Sequence, residues 1–278
     1  MLLDQIRKSN LLSRHIPHQP GTPLLEIAGL SFRYDGRPAL DDVSFRLDSG
    51  QRVAVVGPNG AGKSTLFKLI AGVLPPTSGR VQVYGEGPKG HICIAYLPQR
   101  SQVDWDFPVS VAEVVMMGRI GKLGLLHWPR PADWRLVHQS LALVGLEDLA
   151  NRQIRDLSGG QQQRMFIARA LAQEDELMLM DEPLAGLDTP SQENICEILV
   201  ELQQRGVTVM VAMHDLQMAA EHFEQVMLLN RRLLGLGAPQ EVFTPQRLLE
   251  AYGGHLRLVG VAQELFALGD TCCEEGEE

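Results

Sequence analysis

Apolar and polar positions alternate over short stretches in the first hundred residues, and the period then lengthens. Alternation and β-branched content at 24–28 (LLEIA), 43–47 (VSFRL), 52–56 (RVAVV), 80–84 (RVQVY) and near 92–96 (ICIAY) predict strands separated by Gly and Asp turns. TLFKLIAGVL, which follows GPNGAGKS, has the spacing of a helix. From about 110 to 156 the pattern is helical, with SVAEVVMMGR and PADWRLVHQSLALVGL, the second ended by Gly145. Beyond it a helix (160–173), the strand LMLMD (177–181), a helix (190–205) and the strand VTVMVAM (207–213) alternate as in a parallel sheet covered on both faces. A short strand pair near 225–237 closes the core, and there is neither an internal repeat nor a low-complexity linker.

The 278 residues allow one large domain with an insertion or two small ones, and 45% of them are hydrophobic, enough for a packed core. No segment approaches the ~18 uninterrupted apolar residues of a membrane helix. A net charge of −9 argues against a broad nucleic-acid surface, which needs clustered Lys and Arg. The first 23 residues lack a continuous apolar stretch with a cleavage site, so a cytoplasmic protein is expected. Leu2, Leu3, Ile6, Leu11, Leu12 and Ile16, with Arg7, Lys8 and Arg14, can form an amphipathic helix on a membrane or partner; a frayed extension ended by Pro17, Pro20 and Pro23 is the preferred reading. Four cysteines make no disulfide framework here. Cys93 and Cys196 are expected as buried thiols. Cys272 and Cys273, beside the acidic EEGEE end, read as solvated tail rather than metal ligands, and His15 and His18 carry no metal assignment either.

Two stretches carry phosphate and acid chemistry. Gly57, Pro58, Asn59, Gly60, Ala61, Gly62, Lys63 and Ser64 fit GxxxxGK[ST] between a strand and a helix, the context of a phosphate-binding P-loop, with Thr65 directly after it as a further nucleotide-binding candidate. Backbone N–H groups would close on the β-phosphate, Lys63 would reach the β- and γ-oxygens, and the Ser64 hydroxyl would ligate Mg²⁺. In LMLMDE, Asp181 can hold the magnesium through water, and Glu182 can orient or deprotonate an attacking water, an effect worth about 10²- to 10⁴-fold in rate. The alternative, that Glu182 caps the next turn, is weakened by Pro183. LSGGQQQR at 157–164 is a second anion-binding helix start, since a Ser-Gly-Gly opening offers free N–H groups and the positive end of a macrodipole.

In this combination the residues of about 24–240 resemble the nucleotide-binding subunits of ATP-binding cassette transporters, and LSGGQ between a P-loop and the LMLMDE strand is the most specific element. The resemblance implies an α/β fold: a P-loop NTPase (RecA-like) core carrying an antiparallel β subdomain and an inserted α-helical subdomain. The expected division is an N-terminal extension (1–23), the β subdomain with the first part of the core (24–99), the helical subdomain (100–156), the second part of the core (157–240) and a C-terminal segment with an acidic tail (241–278). It further implies ATP and Mg²⁺ as cofactors and two cassettes stacked head to tail, so that Ser158 and Gly160 of one chain contact the γ-phosphate held by the P-loop of the other, with Gly159 and Gln161 among the nucleotide-binding residues. Ser158 can also N-cap its own helix. Residue by residue, Tyr34 resembles the aromatic that stacks on adenine, though a Tyr in a β-rich segment can equally be core. Gln99 resembles the glutamine that senses Mg²⁺ and the attacking water. Asp188 resembles a dimer-interface residue, and His214 the histidine that contacts the γ-phosphate and steadies Glu182.

The segment PQRSQVDWDFPVSVAEVVMMGRIGKLGLLHWPRPADW is similar to the cassettes of manganese, zinc and ferrous-iron importers from Asp104 through Gly118, as is GHLRLV at 254–259. Divalent-metal import follows, with manganese favoured and zinc or iron as alternatives; metal-chelate and siderophore importers share part of the pattern. The implied partners are a second cassette, integral-membrane permease subunits, an extracytoplasmic metal-binding protein acting indirectly, and no nucleic acid, and the location is the cytoplasmic face of the membrane. Asp104 to Phe107 is expected to form a coupling surface, with Trp105 and Phe107 as anchors in a partner's pocket and helix 110–118 facing the permease. The competing explanation is that one ring belongs to the subdomain's own core. A chromosome-maintenance or repair ATPase would need a long coiled coil between the motifs, a translation-factor ATPase two cassettes, and a small-molecule kinase would lack LSGGQ.

Overall fold

The computed structural model describes residues 21–87, 94–99, 104–123 and 128–253, and the backbone of strands 257–261 and 264–268. The readings made for residues 2–16, His15, His18, Cys93, Cys272 and Cys273 lie outside these residues, and of GHLRLV only the backbone of 257–259 lies within them.

The continuous apolar runs become the centre of the molecule. Strands β3 (Arg52–Val56), β6 (Leu177–Asp181) and β7 (Thr208–Met213) are buried along their whole lengths. With β5 (Ile94–Leu97), β8 (Gln225–Asn230) and β9 (Arg232–Gly237) they form a six-stranded sheet in the order β5-β6-β7-β3-β8-β9, parallel except for the β8–β9 hairpin. Because successive strand residues face opposite sides, one sheet supplies two cores. Val53, Val55, Leu177, Leu179, Met210, Ala212, Met227 and Leu229 pack with helix α1 (Lys63–Ile70). The same cluster includes Leu25, Leu30, Val43 and Leu47, from the antiparallel sheet of β1 (Leu25–Tyr34), β2 (Arg37–Leu47) and β4 (Ser78–Val83), ordered β2-β1-β4. Ala54, Val56, Met178, Met180, Val211 and Leu228 face the other cluster. There they join helices α2 (Val111–Met117), α4 (Pro131–Leu143), α5 (Gly159–Leu171) and α6 (Thr189–Gln204).

The helices between the two halves of the sheet start where their caps dictate. Ser110 Oγ accepts from Glu113 N at 3.3 Å while Glu113 Oε2 accepts from Ser110 N at 2.7 Å, closing a capping box at α2. After α2 comes the one-turn α3 (Ile120–Leu123), and α4 begins with Pro131 and with Asp133 accepting from Arg130 N at 2.9 Å. Gly145, at φ +65°, turns the chain beyond α4.

Three differences from the sequence reading have local causes. Strands β1 and β2 run to 10 and 11 residues, far past 24–28 and 43–47, because register shifts around Gly29 (φ +61°) and Asp42 (φ +53°) break the alternation without breaking the pairing. Helix α1 starts inside the P-loop motif and stops at Ile70, short of Leu74, as Gly72 takes φ +70°. The chain after β7 carries helices that the reading left unassigned: α7 (Leu216–His222), α8 (Pro239–Val242) and α9 (Pro245–Tyr252), each too short for a 3.6-residue period to show. Strands β10 (Arg257–Val261) and β11 (Glu264–Leu268) pair as a separate antiparallel hairpin.

Candidate functional site

The loop between β3 and α1 is built by close backbone approaches. A Cβ on Gly57 would lie 1.9 Å from the carbonyl oxygen of Leu229, and one on Gly62, at φ +98°, would lie 2.5 Å from that of Ala39. Glycine is therefore required at both positions, and the loop is pinned between β8 and β2. Lys63 is buried, and its Nζ donates to Gly57 O at 2.6 Å and Pro58 O at 3.3 Å, which curls the ammonium back over the loop. Burial lowers its pKa, and the carboxylates of Glu182 and Asp181 pull the other way. A cavity of about 810 Å³ opens here, lined by Tyr34, Arg37, Asn59 through Thr65, Glu182 and Arg231. Free N–H groups at the start of α1 and the helix macrodipole suit that space to a polyphosphate.

Tyr34, at its rim, is 45% exposed, with its ring edge-on to Phe32 at 4.8 Å and 79°. It is a surface ring free on one face and not a core residue, a geometry fit for stacking on a flat base.

Glu182 follows β6 at φ +50°, an αL conformation uncommon for a non-glycine residue and of the kind that collects at functional sites. Its N–H donates to Ala212 O at 3.0 Å, and Gln99 Nε2 donates to its Oε2 at 2.9 Å. Next to it Asp181 is buried. Burial raises its pKa, the Ser64 hydroxyl lowers it, the Glu182 charge raises it, and Lys68 and Lys63 lower it. Ser64, Gln99 and Asp181 line one further cavity, of about 650 Å³, whose walls include Lys68, Tyr96 and Arg169. Hydroxyl, amide oxygen and carboxylate are hard donors, the set that a Mg²⁺ ion takes together with phosphate oxygens and water.

The remaining predicted residues lie elsewhere on the chain. Ser158 Oγ accepts from Gln161 N at 3.3 Å and Gln161 Oε1 accepts from Ser158 N at 2.9 Å, so Ser158 does cap α5. Gly160 is buried, and a Cβ there would meet Ser191 Oγ at 2.7 Å. Asp188, exposed, precedes α6 without a side-chain cap bond, and His214 is exposed directly after β7. Ser158, Gly159, Gly160, Gln161, Asp188 and His214 line neither cavity of their own chain. Cys196 is buried as expected.

The stretch 104–107, expected to form a coupling surface, divides. Phe107 is 55% exposed, whereas Trp105 packs on the helical core with its ring 5.8 Å from that of Phe166 at 68°. Helix α2 offers a partner little apolar surface, because Val111, Ala112, Val114, Val115 and Met116 are all buried; Met117 alone among its apolar residues is exposed.

Three residues at the site escaped the sequence reading. Arg231, at φ +58° in the β8–β9 turn, donates its N–H to Ala61 O at 2.8 Å and accepts from Asp41 N at 2.8 Å, tying the P-loop to both sheets. Arg37 joins it on the cavity wall, and Tyr96 lies beside Asp181. Nothing in LLNRR, DGRPA or YLPQR distinguishes these side chains from surface or core residues; only the long-range pairing does.

The family model described as ABC transporter matches residues 40–185. The chain is 45% identical over 233 residues to the manganese transport system ATP-binding protein of Bacillus subtilis, covering 84% of this chain and 93% of that protein. It is 45% identical over 233 residues to the zinc transport system ATP-binding protein of Treponema pallidum, with 84% and 88% covered. Among solved structures it is similar to a metal-chelate type ABC transporter in an inward-facing conformation, with a TM-score of 0.75, 30% identity and 88% and 96% of the two chains covered.

Proposed function

The chain belongs to the ABC transporter family of ATP-binding cassettes, and we propose that it is the ATP-hydrolysing subunit of an importer for a divalent metal ion, manganese before zinc or iron. The observation that carries the choice of cargo is the 45% identity, across 84% of the chain, to ATP-binding proteins of manganese and zinc transport systems. The inward-facing metal-chelate transporter, at 30% identity, favours chelate import as the second reading.

In the proposed mechanism, Tyr34 stacks on the adenine while the N–H groups of 60–65 and the Lys63 ammonium hold the phosphates. Ser64, Gln99 and Asp181 would hold Mg²⁺, which when bound supplies positive charge against the charge developing on the phosphate oxygens. Glu182 takes the proton of the attacking water. Gln99 occupies Glu182 Oε2, which directs the reactive lone pair to Oε1 and fixes the carboxylate before the water arrives. His214 contacts the γ-phosphate from the end of β7. The capped α5 N-terminus opens toward neither cavity of its own chain. That supports a head-to-tail pair in which Ser158 through Gln161 of one cassette cover the phosphates bound by the other. Closure on ATP and reopening after hydrolysis then drive the permease, with the cassettes at the cytoplasmic face and an extracytoplasmic binding protein delivering the metal.

The test is uptake by liposomes holding the cassette with its permease. ATP-dependent entry of Mn²⁺, lost with Glu182→Gln, is expected. Uptake of a ferric chelate without Mn²⁺, Zn²⁺ or Fe²⁺ would assign the second reading instead.

A further inference from the structure

Two guanidinium groups on the wall of the nucleotide cavity have no part in the mechanism above. Arg37 and Arg231 both line that cavity and both are exposed. Among the described residues, neither side chain makes a hydrogen bond or an ion pair. Their neighbours differ: Arg33 Nη1 donates to Gly36 O at 3.2 Å, and Arg232 Nε donates to Asp41 Oδ2 at 2.7 Å. Backbone pairing fixes where the two free groups sit. Tyr34 and Arg37 stand opposite each other in the β1–β2 register, joined by the two-residue turn Asp35-Gly36 at φ +47° and +82°. Directly opposed strand residues share a face, so the Arg37 side chain rises beside the Tyr34 ring. Pro38 and Ala39 continue the cavity wall from there, and a Cβ on Gly62 of the P-loop would lie 2.5 Å from Ala39 O. Strand β2 therefore leads from the aromatic ring to the phosphate loop, with Arg37 at the aromatic end. Arg231 comes from the β8–β9 turn, held at the P-loop by its N–H on Ala61 O. Asp35 and Glu182 are the carboxylates on this wall; Glu182 accepts from Gln99, and Asp35 pairs with neither arginine.

We propose that Arg37 and Arg231 bind the α-phosphate of the nucleotide, on the side that faces away from the P-loop. This rests on the nucleotide-site reading above and adds two binding residues to it. In that reading the loop N–H groups and the Lys63 ammonium take the β- and γ-oxygens. A base stacked on Tyr34 then leaves the α-phosphate between the ring and the loop, where the two arginines converge. A guanidinium carries a planar fork of N–H donors matched to phosphate oxygens. The α-phosphate is common to nucleoside di- and triphosphates, so the pair strengthens binding of ATP, ADP and GTP alike and does not read the base. ADP keeps the contact after the γ-phosphate has left.

The experiment titrates ATP, ADP and GTP, unlabelled and in EDTA, into wild type, Arg37→Gln, Arg231→Gln and Arg37→Lys by calorimetry, with thermal unfolding alongside. ATP binding by the wild type is read first; its absence overturns the nucleotide site and this assignment together. The expected result is that each Gln variant binds all three nucleotides about five- to tenfold more weakly, the loss of a charge-assisted bond in a solvent-open site. The ATP:ADP and ATP:GTP affinity ratios and the unfolding temperature should be kept, and Arg37→Lys should stay within about twofold of wild type, since it retains the charge. Wild-type affinity in either Gln variant would remove that residue from the site and overturn the proposal alone. A shifted ATP:GTP ratio would put the guanidinium on the base, and a shifted ATP:ADP ratio would put it on the γ-phosphate; either result overturns the α-phosphate assignment. So would affinity and unfolding temperature falling together in all three variants, which marks a packing role.

Discussion

Gln99 Nε2 donates to Glu182 Oε2 at 2.9 Å, joining the loop after β5 to the residue after β6. Backbone strain at Glu182 and this single bond together set the direction of the carboxylate. The amide has one oxygen left for a cation, so the same side chain can report the metal's arrival to the group that activates water. Gln99→Ala is expected to reduce ATP turnover roughly 10- to 100-fold, since misplacing a reacting group by about 1 Å can cost 10²-fold. ATP affinity in EDTA should stay within a factor of two or so, because the P-loop carries that binding. Steady-state hydrolysis beside nucleotide titration reads both.

Trp105 and Phe107 are two residues apart and should behave differently. Trp105→Ala removes a half-buried ring packed on Phe166 and is expected to cost about 1 to 3 kcal/mol, less than the large-to-small change of a fully buried aromatic. Phe107→Ala removes an exposed ring and should leave unfolding of the isolated cassette unchanged while lowering metal uptake by the assembled transporter. Thermal melts of both variants, set beside uptake, separate structure from docking; a Phe107→Ala protein that transports normally would end the coupling assignment for that ring.

Asp175, buried just before β6, has neither carboxylate oxygen hydrogen-bonded. Burial raises its pKa from 3.8 to about 7, with Lys122 and Arg119 opposing and Glu174 and Glu176 adding to the rise. Between those values the folded protein binds the proton that the unfolded chain has released. Asp175 thus contributes stability fully below about pH 4 and loses it as pH rises through about 7. Asp175→Asn should flatten the dependence of unfolding temperature on pH from 5 to 8 and be the more stable protein at pH 8. An unchanged slope would place the titration on another group.

The sheet and the phosphate loop were legible because their signals are local. Buried parallel strands read as unbroken apolar runs, as at 52–56 and 177–181, and the loop glycines are needed for backbone contacts at fixed offsets. The different placing of Trp105 and Phe107 was not legible, since both are aromatic and only the arrival of Phe166, about sixty residues on, covers part of one of them. Arg231 and Tyr96 were hidden for the same reason. One is a turn residue and the other a strand residue in sequence, and each acquires its position from a pairing with a distant segment.

In the proposed mechanism Glu182 is the proton acceptor of a site completed by Ser158 of a second cassette. Sedimentation of the Glu182→Gln protein with Mg²⁺-ATP tests both parts at once, with hydrolysis followed in the same sample. The account predicts a dimer that forms with ATP, hydrolyses it at least about 100-fold more slowly than the wild type, and fails to form when Ser158→Arg is added. A protein that stays monomeric with ATP bound, or that turns over at the wild-type rate, would contradict it.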